Sequence, residues 1–126
     1  MKEQLISFKT AKLAKEKGFD IPLQHTVANI NQLYDVDNNK IHTNSTSVDN
    51  WNKFSTVISA PTQSLLQRWL REKHGISVLI NCIDENLYNY EIVYFNCKKN
   101  QIYGKGLRLF YEEALEEGLQ KALKLI

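Results

Sequence analysis

Two hydrophobic periods alternate along this chain, and the switches between them mark its elements. The first helical stretch is bounded by its own punctuation. Ser7 is placed to cap a helix running through Lys17, Gly18 to end it in the left-handed conformation, and Phe19 to fold back on Leu13. Ile21–Pro22 then forces the backbone to extend. From there to Ile58 the helical period is lost. "HTVANINQLYDV" and "KIHTN" read as two strands across an Asp37-Asn38-Asn39 turn, whose asparagines tolerate positive φ. The polar residues 43–52 read as a loop, and "KFSTVIS" as a third strand.

The helical period returns in "SAPTQSLLQRWLREKHGISVLI". Thr62 or Ser59 can cap, Pro61 suits the approach to a first turn, and Leu65, Leu66, Trp69 and Leu70 share one face. Gly75 ends the helix and a period of two begins, with Ile76, Val78, Ile80 and Cys82 on one side. "YNYEIVYFN" is the partner strand of a hairpin around "DENL", with Tyr88, Tyr90, Ile92 and Tyr94 on one side and Glu91, Val93 and Phe95 on the other. "KKNQ" turns the chain into a short strand near Ile102–Tyr103, and Gly104 and Gly106 loosen its exit. Residues 110–126 form the most regular helix. Tyr111, Ala114, Leu115, Leu119, Ala122, Leu123 and Ile126 share its apolar face, with Gly118 in the middle of that face. A glycine there costs about 1 kcal/mol against alanine, so it is expected to admit another backbone at close range.

The elements add up to one α+β domain over residues 1–126, helices on antiparallel sheet, in the order α-βββ-α-βββ-α. The helix ends "AKEKGFDI" and "LREKHGISV" resemble each other and raise the question of a duplicated α-βββ unit. The alternative is two helices that independently use a basic last turn and a glycine stop.

Composition narrows the function classes. Sixteen basic against fourteen acidic side chains give a net charge of +2, too even for a dedicated duplex-DNA binder. No apolar run approaches the roughly 18 residues of a membrane span. The N-terminus has no signal-type apolar core, which makes a cytoplasmic protein the expectation. Cys82 and Cys97 read as buried strand thiols too far apart in the hairpin to bond.

The chemistry-bearing patterns are mostly explained by architecture. Arg68, Arg71 and Gln67 share an outer helix face with Glu72, as a recognition helix would present them. Yet Arg68 and Glu72 stand at i and i+4, an ordinary surface ion pair, and a strand rather than a short helix precedes them. "DVDNNKIHTNST" imitates a calcium loop through Asp35, Asp37 and Asn39, but Lys40 replaces the turn glycine and Thr46 the closing glutamate. His25, His42 and His74 fall in different elements without metal-pair spacing. Neither a metal nor a cofactor is implied. Glu112, Glu113, Glu116 and Glu117 read as a solvated helix face, and no nucleophile motif, P-loop or dinucleotide pattern is present.

Three blocks, "MKEQLISFKTAKLAKEKGFDI", "SAPTQSLLQRWLREKHGI" and "YEEALEEGLQKALKLI", resemble a group of short uncharacterised proteins encoded in phage and prophage-like elements of gut-type bacteria. The resemblance implies a setting, a bacterial cytoplasm under mobile-element control, and transfers no activity or residue role. The expectation is a small non-catalytic protein that acts by contact with a host or phage protein, with no membrane and with homo-oligomers compatible. Its candidate contact surfaces are Trp51 within residues 43–53, and the basic turn of Lys98, Lys99, Tyr103, Lys105 and Arg108. The alternative is a single-stranded nucleic-acid binder in which Tyr103 and its basic neighbours, or the Tyr88, Tyr90 and Tyr94 face, stack bases. An enzyme without a local motif is the third reading.

Overall fold

The computed structural model describes residues 4–21, 31–35, 41–44, 51–53, 57–94, 101–103 and 107–126. The protein is α+β, and its elements follow the order that the two periods predict. Helix α1 (Phe8–Glu16) precedes strands β1 (Asn31–Asp35), β2 (Ile41–Asn44) and β3 (Val57–Ser59). Helix α2 (Gln63–His74) precedes β4 (Ile76–Asp84), β5 (Leu87–Tyr94) and β6 (Gln101–Tyr103), and α3 (Tyr111–Lys124) follows. The chain falls into two compact units, Leu5–Thr62 and Gln63–Ile126 with Met1–Gln4.

In the Leu5–Thr62 unit, α1 is bounded as its sequence dictates. The Ser7 hydroxyl accepts a hydrogen bond from the Thr10 backbone N–H at 3.3 Å and contacts the Thr10 hydroxyl at 3.0 Å. At the other end Gly18 takes φ +89°. Its N–H donates to Lys15 O at 3.1 Å, and Phe19 N–H donates to Ala14 O at 2.9 Å. These are the paired bonds of a Schellman stop, and they bury Phe19. The three strands are antiparallel in the order β2-β1-β3, so β1 is central, with Tyr34 opposite Ile41 on one side and Ile58 on the other. The Asp37–Asn39 turn, Pro22 and His25 lie outside the described residues.

Polar side chains tie this unit together. Buried Tyr34 donates its hydroxyl to Ile6 O at 2.7 Å, and its ring stands edge-on to Phe8 at 5.4 Å. Asn52 donates to Phe19 O at 2.9 Å and accepts from Ser59 N–H at 2.8 Å. Lys15 Nζ donates to Val57 O at 3.1 Å. Asn52 belongs to a 3₁₀ turn over Trp51–Lys53. Of the expected strand "KFSTVIS", Lys53 is in that turn instead, and Val57, Ile58 and Ser59 pair with β1. Pro61 serves an extended bridge rather than a helical turn, with its carbonyl accepting from Ile6 N–H at 3.1 Å.

In the Gln63–Ile126 unit, α2 buries Leu66, Trp69 and Leu70 as the stripe predicts, together with Gln63. Buried Gln63 donates its amide to Glu112 O at 3.0 Å, which satisfies the polar group and joins α2 to α3. Gly75, at φ +65°, ends the helix with one bond from its N–H to Arg71 O at 3.2 Å, the simpler left-handed stop. The chain then passes directly into β4. Strands β4-β5-β6 form an antiparallel meander in that order. Asp84 pairs with Leu87 across Glu85 and Asn86, and a register shift between Cys82 and Asp84 marks a bulge at Ile83. Cys82 pairs with Tyr88 and is exposed, not the buried thiol that alternation suggests. It lies near the hairpin tip, where burial fades along β4. Cys97 lies outside the described residues.

Helix α3 covers the sheet face that carries Val78, Tyr90 and Ile92, all buried. Gly118 is the point of closest approach. A Cβ on it would stand 2.7 Å from Val78 Cγ1 and 2.9 Å from Tyr90 Cβ. The glycine in the apolar face is there because no side chain fits. Gln67, expected on an outer face, is half-buried and donates its amide to Val78 O at 2.6 Å.

Candidate functional site

After β6 the chain returns to the sheet at a single residue. Arg108 exchanges both backbone hydrogen bonds with Tyr88, each at 2.8 Å. The two trans peptides that flank Arg108 therefore turn Leu107 C=O and Leu109 N–H away from Tyr88. The Arg108 side chain leans back on Leu107 O at 3.4 Å, and among the described residues no hydrogen bond reaches the Leu109 backbone. Helix α3 begins at once, with Phe110 at the N-cap in extended geometry and without a side-chain cap bond. Ser, Thr, Asp or Asn there would stabilise the helix by about 1 kcal/mol.

The side chains of this stretch break a second rule. Leu109 is 62% exposed and Phe110 61% exposed, and Leu107 and Tyr111 are exposed beside them. The four exposed side chains fall within five consecutive positions. Tyr111, expected on the buried face of its helix, stands instead edge-on to Tyr88 at 6.1 Å. Exposed Glu112 and Glu113 follow the patch in sequence. Arg108 is held by Glu117 at 3.0 Å, Nε to Oε2. The patch offers hydrophobic contact beside an outward backbone acceptor and donor, with one side of acidic character.

The residues singled out from the sequence divide among several places. Arg108 lies within the patch, with its charge committed to Glu117. Tyr103 is in β6 opposite Glu91, so Tyr103 and Arg108 both pair with β5. Trp51 opens the 3₁₀ turn of the Leu5–Thr62 unit. Lys98, Lys99 and Lys105 lie outside the described residues. The tyrosine face proposed for base stacking is closed at its centre, because Tyr90 is buried beneath Gly118. Its phenol is pushed up by burial and by the nearby Glu117 carboxylate, against the opposing pull of Arg108. The arginine-bearing helix carries the expected Arg68–Glu72 pair at 3.4 Å.

His74 occupies the last turn of α2, edge-on to Trp69 at 4.7 Å, with Nε2 sealed from solvent and without a hydrogen bond. Burial, and secondarily the Lys73 charge, hold its pKa below the ordinary 6.5. Among the described residues no cluster of three His, Cys, Asp or Glu side chains could hold a metal ion. No helix of the described residues is long and apolar enough to cross a membrane.

Leu107, Leu109 and Phe110 were not candidates from the sequence, because "LRLFY" reads there as the approach to a buried stripe. One local signal was available: a phenylalanine sits at the position where a helix start favours a small polar cap. Comparison of the chain with known protein families, with curated proteins and with solved structures returns no match.

Proposed function

We propose that this chain is a small non-catalytic binding protein that acts through protein–protein contact at residues 107–111. One observation carries the reading: Leu107, Leu109, Phe110 and Tyr111 are all exposed within five consecutive positions, next to a strand edge. Three large apolar side chains around an uncapped helix start are unfavourable in isolation and suit a surface that is covered in use. The cytoplasm of a bacterium under phage or mobile-element control, and a host or phage protein as partner, follow from the resemblance of the three helical blocks.

Affinity capture from a lysate of the native host tests the reading. The wild type and the Trp51→Ala and Lys98→Glu/Lys99→Glu variants should retain the same captured protein. Leu109→Ser/Phe110→Ser should lose it while melting no lower than the wild type, because a serine at 110 can cap α3. Capture that survives this double change, or nucleic acid that co-purifies and is lost with the lysines, would overturn the reading.

A further inference from the structure

The outward backbone groups at residues 107 and 109 say more than that something binds; they specify the shape of what binds. We propose that the partner docks by strand addition, as an extended segment antiparallel to residues 107–109, apolar at alternate positions and with lysine or arginine at its N-terminal end. This inference rests on the contact function proposed above and names its mode.

Three features lead to it. First, both backbone bonds of Arg108 are spent on Tyr88 at 2.8 Å, so the flanking trans peptides turn one acceptor, Leu107 C=O, and one donor, Leu109 N–H, to the open side. An extended peptide matches that spacing, and its main chain supplies the complementary groups. Second, the Leu107 and Leu109 side chains are exposed at that edge, so an incoming strand meets apolar surface as well as hydrogen-bonding groups. Third, the charge is one-sided. Arg108 is neutralised by Glu117 at 3.0 Å, whereas exposed Glu112 and Glu113 stand where the chain leaves the edge. A strand running antiparallel begins at that acidic end, so complementary charge places its basic residues first.

The test uses the full-length protein and a synthetic peptide in which a lysine pair precedes alternating valines and threonines. Hydrogen exchange read by NMR should show the Leu109 amide slowing on titration, while the Arg108 amide, already bonded, keeps its rate. Replacing the lysine pair by glutamates should weaken binding about threefold to tenfold, the scale of exposed ion pairs. Leu109→Pro removes an outward donor without touching a bond of the fold and should abolish binding at an unchanged melting temperature.

Absence of saturable peptide binding overturns the proposal, and so does binding without slowed exchange at Leu109. If host-protein capture still requires Leu109 and Phe110 in that case, the contact reading stands and only the mode is wrong. Slowed exchange at the Leu109 amide that depends on protein concentration without peptide would assign the edge to a second copy of the chain instead. Equal binding of the lysine and glutamate peptides would overturn the basic N-terminal end.

Discussion

The two units share one element order, a helix followed by three antiparallel strands, and yet they are wired differently. In the Leu5–Thr62 unit the first strand of the three is central, because β3 returns to the far side of β1. In the Gln63–Ile126 unit the second strand is central and the chain meanders. The connections explain the difference. β4 and β5 are joined across Glu85 and Asn86 and must lie side by side, whereas twelve residues separate Asn44 from Val57 and free β3 to pair elsewhere. The similar helix ends "AKEKGFDI" and "LREKHGISV" also differ in detail. Gly18 and Phe19 make the two bonds of a Schellman stop; Gly75 makes one bond and leads straight into a strand. A repeated glycine stop is thus not a repeated unit.

Both units use side-chain-to-backbone hydrogen bonds, from Tyr34, Asn52 and Lys15 in the first and from Gln63 and Gln67 in the second. The second adds a helix packed on its sheet at van der Waals limits, around Gly118. The contrast is sharpest where volume is removed. Trp69→Ala should destabilise by about 3–5 kcal/mol, while Arg71→Ala on the exposed face stays within roughly 0.5 kcal/mol. Urea melts giving the reverse order would break the packing account of the second unit.

Next in size is Asn52→Ala. It deletes both polar ties and leaves Phe19 O and Ser59 N–H without their partner, at a cost of about 2–3 kcal/mol. An unchanged denaturant midpoint would show that the first unit rests on its apolar contacts after all. Gly118→Ala should destabilise by about 1–2 kcal/mol despite its better helix propensity, because Tyr90 Cβ is fixed to its backbone and cannot swing aside. A higher melting temperature would mean that α3 lifts from the sheet without penalty.

The smallest effect concerns His74. Its folded pKa is depressed, so above the unfolded value of 6.5 both states are neutral and its contribution is fully present. As pH falls below that value the unfolded chain takes up the proton first, and stability declines until the folded pKa is passed. His74→Gln should flatten that decline in melts compared at about pH 7.5 and about pH 5. An identical slope in the variant would assign the acid sensitivity to other groups.

What the sequence made legible follows the range of the interactions involved. Ser7, Gly18, Gly75 and the stripe of Leu66, Trp69 and Leu70 are local signals, and they placed the helices within a residue or two. Gly118 was legible because its neighbours lie on its own helical face. Strand order was not, since it depends on how far the chain travels between β2 and β3. The patch at residues 107–111 was hidden for the same reason. Arg108 looked available because Glu117, which holds it, sits on another element, and the exposure of Leu109 and Phe110 depends on where α3 begins. Cys82 was misjudged because alternation gives the face of a strand, not how far the covering helix extends.

The hydrogen bond from Gln67 to Val78 O has a consequence for assembly. A sheet with two free edges can recruit copies at both and grow without end, the geometry of a fibre. Here α2 places an amide on a carbonyl of β4, at the margin opposite residues 107–109. Growth by strand pairing needs open backbone groups at each end, and at Val78 the Gln67 amide already fills that place.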